Sequence, residues 1–150
     1  MTRAYCNPPY QFPNTDFDST TEVYGGLTWS VWLSPFVKVF YDVDVIEGAY
    51  LQVGIGHTQE KVVTWKDDCY CNVQVGASLG YGTASYNEGY FGVDSSELND
   101  LTLTVALPIC LGRWTVKPSV GYSAMLNEDI RDTTINSDNL WAGVTLAKTF

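Results

Sequence analysis

Apolar residues alternate with small or polar ones along most of the chain. Val23, Leu27, Trp29, Val31 and Leu33 stand against Glu22, Tyr24, Gly26, Thr28 and Ser30. Leu51, Val53 and Ile55 stand against Gln52, Gly54 and Gly56, and Val73, Val75, Ala77 and Leu79 against Gln74, Gly76, Ser78 and Gly80. Leu101, Leu103 and Val105 oppose Thr102, Thr104 and Ala106, and Val116, Val120 and Tyr122 oppose Lys117, Ser119, Gly121 and Ser123. The end of the chain does the same, with Leu140, Ala142, Val144 and Leu146 against Trp141, Gly143, Thr145 and Ala147. A sustained period of two marks strands with one apolar face, and helix signals are nearly absent. The pattern predicts strands near residues 2–11, 21–33, 36–44, 48–60, 69–82, 98–110, 113–126 and 138–150. The first is weakly defined over residues 1–12, because Pro8 and Pro9 interrupt it and proline is tolerated mainly at an edge.

The second face decides the fold class. It is built from Gly, Ser, Thr, Ala and Gln, with few of the Lys and Glu expected of a water-facing sheet. Small, mildly polar residues suit the cramped interior of a narrow barrel, with the apolar face turned outward to lipid. The expectation is an all-β, antiparallel up-and-down β-barrel of about eight strands, forming a single domain over residues 1–150. Ser34-Pro35, the stretch Lys61–Asp68 and Leu111-Gly112 are its short turns. Residues 12–20, 44–48, 83–97 and 127–137 are its longer, acidic loops at the other end. So small a barrel is expected to be filled by its own side chains, which speaks against broad passive transport.

Composition agrees with that picture. The 150 residues are 45% hydrophobic and only 17% charged, below the ~25% usual for soluble proteins. A net charge of −9 argues against nucleic acid as a partner, since nothing would neutralise a phosphate backbone. No apolar run is long enough for a membrane helix, and the opening MTRAYCNPPYQ has no apolar core of a secretory signal. Charge is also sorted along the chain. Of 17 acidic residues, all but Glu60, Asp67 and Asp68 fall at the long-loop end, while Lys38, Lys61, Lys66, Arg113, Lys117 and Lys148 fall nearer the short turns. Such a barrel is a dipole along its axis.

The closing run from Asn139 to Phe150 alternates and ends in Phe. It resembles the C-terminal assembly signal of bacterial outer-membrane β-barrels, with Leu146 and Phe150 in the signal positions. From about residue 13 onward, the segments PNTDFDSTTEVYGGL, YDVD, ASLGYG and WTVKPSVGYS resemble the C-terminal portion of a poorly characterised family of conserved bacterial outer-membrane proteins. Members of that family are typically longer at the N-terminus and carry a signal sequence. The resemblance implies a lipid bilayer as partner and the bacterial outer membrane as location, the cell surface or extracellular space being the alternative. Its motifs are structural and imply no catalysis.

Candidate chemistry is sparse. Asn14-x-Asp16-x-Asp18 resembles the opening of an EF-hand loop but lacks the later Gly and Glu. Asp42-x-Asp44-x-x-Glu47 gathers three carboxylates at a tight turn, and a Ca²⁺ ion bridging Asp16, Asp18, Asp42, Asp44 and Glu47 is the one cofactor considered. An Asx-rich turn without metal is the competing reading. Cys69-x-Cys71 is not a C-x-x-C redox pair, Cys6 is a candidate inter-chain thiol, and His57 is the single histidine. Trp32, Trp65 and Trp114 near the short turns, with Tyr41 and Tyr81 near the loops, are candidates for interfacial girdles. The function expected is an outer-membrane barrel with a structural or narrow-pore role, without catalysis. The alternatives are a self-assembling subunit joined head to tail through acidic and basic ends, and a soluble lipocalin-like carrier.

Overall fold

A computed structural model describes residues 3–6, by their backbone, and residues 20–150. Asp16, Asp18 and the Cys6 thiol lie outside the described residues. Strands β1 (Arg3–Cys6), β2 (Glu22–Thr28), β3 (Phe36–Asp42), β4 (Ala49–Lys66), β5 (Cys69–Gly82), β6 (Glu97–Ala106), β7 (Ile109–Leu111), β8 (Trp114–Met125) and β9 (Asp138–Lys148) belong to one sheet with only antiparallel pairings. β6 and β7 share a single course between β5 and β8: Leu103 pairs with Ala77 and Tyr122, and Ile109 with Cys71 and Val116. The break falls at Pro108, which has no N–H for the ladder. The sheet therefore has eight courses in chain order, as the period-two segments predict. Among the described residues no pairing joins β9 to β1.

Three expectations are corrected. First, β2 ends at Thr28 instead of continuing to residue 33. The amide of Trp29 donates to the Pro35 carbonyl at 2.9 Å and that of Ser34 to Val31 at 2.9 Å, folding residues 29–35 into a turn despite their alternation. Second, β4 does not stop near residue 60 but runs 18 residues to Lys66, leaving only Asp67-Asp68 as the turn. Its register slips between Gln59 and Val63, four residues on β4 against two (Val73 to Cys71) on β5. Lys61 takes φ 51° there, and its amide donates to the Asn72 side chain at 2.8 Å. A polar partner for a bulged amide is what keeps such a long strand paired.

Third, the long loops hold two helices, α1 (Ala84–Phe91) and α2 (Glu128–Thr133), where none was expected. Asn127 caps α2, its side chain accepting from the Ile130 amide at 3.0 Å, and Glu128 and Asp129 occupy the first turn where acidic residues suit the helix dipole. Gly92 ends α1 in the left-handed conformation, φ 72°.

Burial is inverted relative to a soluble protein. The only buried apolar side chains among the described residues are Ile130 and Cys71. Val39, Val53, Ile55, Val75, Leu79, Leu103, Val105, Val120, Leu140 and Val144 are all exposed. Their faces follow the predicted alternation, so the apolar face of the sheet is the outward one.

Candidate functional site

A cavity of about 610 Å³, open to solvent, lies on the small-residue face. Its wall combines Phe36 and Lys38 of β3, Gln52 of β4, Gln74 and Ser78 of β5, Thr102 and Thr104 of β6, Lys117 and Ser119 of β8, and Trp141 and Thr145 of β9. Residues from the third to the last course line one space, so the sheet is curled. The volume lies within the range of small-molecule sites.

Glycine makes room for the large rings on this face. A Cβ at Gly54 would overlap the Phe36 ring, and one at Gly121 would overlap the Trp141 indole. Each bulky interior ring thus lies across a glycine on the neighbouring strand, which explains why the glycines keep the strand period. Gln52 donates to Ser78 at 3.2 Å and Thr102 and Ser123 hydroxyls are 3.0 Å apart, tying the wall together. Among the described residues, Lys38 and Lys117 are the charged groups of the wall, and no carboxylate lines it.

The loop end is a packed cap. Asn87 of α1 and Asn99 of β6 are fully buried, and Asn99 donates to Asn87 at 2.6 Å. Asn87 in turn donates to the carbonyl of Ser95 at 2.8 Å, and the Gly82 amide donates to Asn99 at 3.3 Å. Rings of Tyr24, Phe40, Tyr50, Tyr86 and Tyr90 follow one another at 5.6, 6.0, 5.3 and 4.5 Å between centroids, linking β2, β3 and β4 to α1. The Tyr50 hydroxyl donates to Asp100 at 2.6 Å. Burial, followed by the neighbouring Tyr90 and the charges of Glu22 and Asp100, pushes the Tyr86 phenol well above its ordinary pKa. The periodicity of the strands carries no trace of this cap; the only sequence signal is the Asn127-Glu128-Asp129 helix start.

The acidic cluster resolves into a turn. Asp42 is buried, accepts the Thr20 hydroxyl at 2.5 Å, and accepts the amides of Asp44 at 3.0 Å and Ile46 at 3.2 Å. Burial pushes its carboxyl up, but the Thr20 hydroxyl and these amides outweigh that and hold it below the ordinary value. Glu22, directly opposite Asp42 in the β2–β3 ladder, is raised by burial and then by the Asp42 charge. With its oxygens taken by protein donors, Asp42 is the anchor of an Asx turn. Among the described residues no three His, Cys, Asp or Glu side chains are grouped to hold a metal, and Asp16 and Asp18 of the five carboxylates expected around a Ca²⁺ ion lie outside those residues.

Trp32, Trp65, Trp114, Tyr41 and Tyr81 are all exposed, the first three near the short turns and the tyrosines near the loop end. His57 is not isolated: its Nδ1 lies 2.8 Å from the Trp32 carbonyl, and the two rings are 5.2 Å apart. Cys69, Cys71 and Cys110 are free thiols. Leu146 and Phe150 are exposed at the end of the chain. Among the described residues no helix is long and apolar enough to cross a membrane, which says nothing of a β-barrel. No family model, curated protein or solved structure matched this chain.

Proposed function

We propose that the chain is an integral outer-membrane β-barrel of bacteria with a structural or narrow-pore role and no catalysis. The observation that carries this reading is the inverted burial: a continuous outward band of exposed Val, Leu and Ile around a polar cavity. In water such a surface is a liability, whereas in hydrocarbon it is the required one. The exposed aromatics at both ends of the band have the placement of interfacial anchors. Closure of the curled sheet into a barrel belongs to the same reading, because hydrocarbon tolerates no unpaired strand edge.

Detergent dependence and vesicle insertion test it. The expected result is a chain that is soluble only with detergent and that inserts into lipid vesicles. Val120→Arg on the outward face should weaken folding in vesicles by about 2–4 kcal/mol, whereas Ser119→Lys on the cavity face should be tolerated. A monodisperse monomer in detergent-free buffer overturns the reading.

Self-assembly is the second reading, and β9 favours it. All eleven of its residues are exposed, Leu140, Val144 and Leu146 included, and such an edge is a template for another strand. Light scattering in micelles separates the two, since a monomer at all concentrations excludes assembly through β9. A soluble carrier of apolar ligands is not favoured, because the cavity wall is rich in amides, hydroxyls and ammonium groups.

A further inference from the structure

The chain carries a net charge of −9, yet its one large described cavity has the opposite sign. Lys38 enters it from β3 and Lys117 from β8, the third and seventh of eight courses. Among the described residues no ion pair engages either lysine, and no Asp or Glu lines the wall. Lys38 Nζ is instead held 5.2 Å from the centroid of the Phe36 ring, a contact that leaves its charge uncompensated. Uncompensated ammonium groups in a walled space focus a positive potential and concentrate anions. Around them, Gln74, Thr104 and Thr145 add hydrogen-bonding groups, and Trp141 offers an aromatic face.

We infer that this cavity is a binding site for a small hydroxylated oxyanion, a phosphate or carboxylate held between Lys38 and Lys117. Ammonium groups bind such anions by charge-assisted hydrogen bonds, while the neutral amides and hydroxyls recognise hydroxyl groups on the remainder of the solute. The acidic loop end, which carries α1 and α2, does not attract such a ligand, which leaves the end bearing Lys61, Lys66, Arg113 and Lys148 as the favoured entry. The inference deepens the barrel reading by giving the lumen a ligand class, and it rests on that reading for the direction of the apolar face.

Isothermal titration of the full chain in micelles tests it, with inorganic phosphate and gluconate as the two anionic probes and methyl glucoside as the neutral one. Binding of phosphate alone identifies phosphate as the oxyanion, and binding of gluconate alone identifies carboxylate; either supports the site. The paired substitution K38Q and K117Q should weaken anion binding about tenfold or more. Binding of methyl glucoside as tight as that of gluconate overturns the inference, as does anion binding unchanged by the paired substitution. A second measurement does not depend on affinity. In a variant with Trp29, Trp32, Trp65 and Trp114 replaced by Phe, iodide should quench Trp141 about threefold better than caesium at fixed ionic strength, each quenching constant being divided by that ion's constant for free N-acetyltryptophanamide. K38Q with K117Q should bring the two quenchers to parity, and K38E with K117E should reverse their order, acrylamide quenching and far-UV circular dichroism reporting that the fold persists. Equal quenching in the Trp141-only protein overturns the inference. Vesicle insertion of the same preparations separates the two readings: insertion without lysine-dependent anion preference removes the ligand site alone, and anion preference without insertion removes the membrane reading alone.

Discussion

At the residue scale, the paired carboxylates Asp42 and Glu22 set how stability responds to acid. Asp42 has a folded-state pKa below its ordinary value, so the stability it contributes is present above that ordinary value and is lost as pH falls through the lowered one. Glu22 has a raised pKa, so its charge opposes folding above the raised value and ceases to do so as pH falls through it. Glu22→Gln should therefore raise stability at neutral pH, read as a higher denaturant midpoint in micelles. Asp42→Ala should lower it by about 1–3 kcal/mol, because the Thr20 hydroxyl and the amides of Asp44 and Ile46 lose their acceptor, and should remove the acid-induced loss. A pH profile of D42A identical to that of the parent protein contradicts the assignment. Gly121 offers a different check: Gly121→Val should cost about 1–3 kcal/mol and displace the Trp141 emission maximum, since the indole occupies the space of the added side chain.

At the scale of elements, the strands were legible and their interruptions were not. β5 spans Cys69–Gly82, as the alternation of Val73, Val75, Ala77 and Leu79 predicts, because both its ladders run nearly its full length. The alternation of Trp29, Val31 and Leu33 continues past the end of β2, since a turn can carry apolar residues in any order when its backbone bonds close locally. The extension of β4 to Lys66 depends on Asn72 meeting the bulged Lys61 amide, a cross-strand event with no local mark. Helix α2 was readable in its cap but not in its purpose, which is to place Ile130 at zero exposure. Ile130→Ala should cost about 2–5 kcal/mol, whereas Asn127→Ala should cost about 1 kcal/mol. Hydrogen exchange should localise the effect of both to residues 126–137 and the cap, with β4 and β5 unchanged.

At the scale of the whole molecule, one face of one sheet decides everything else. Outward Val and Leu side chains on nearly every course leave almost no apolar interior, so the stability of the isolated chain in water is expected to be low. On the proposed outer-membrane reading, lipid supplies the missing apolar contact. The same reasoning makes β9 the critical edge, because its alternate amides bond to β8 while the others face outward from the sheet. In vesicles those outward amides should exchange as slowly as the amides of β8, whichever strand covers them. Fast exchange at alternate β9 positions means that the sheet stays open. The acidic residues of the loops and the basic residues near the turns also fall at opposite ends, as the antiparallel order requires.

The period of two in the sequence determined the strand number, the antiparallel order and the placement of Lys117 with Ser119 on the small-residue face, since these depend only on pleat and chain order. Tertiary structure decided the rest. Curling brings Lys38, Lys117 and Trp141 to one cavity from strands far apart along the chain. It makes Asp42 the anchor of a turn by surrounding it with protein donors. It also converts two polar loops into a cap through contacts between Asn87, Asn99 and Ile130. Periodicity reports which way a side chain points. Which other side chains it meets there depends on the curvature of the sheet and on the packing of its loops, neither of which has a local signature in the sequence.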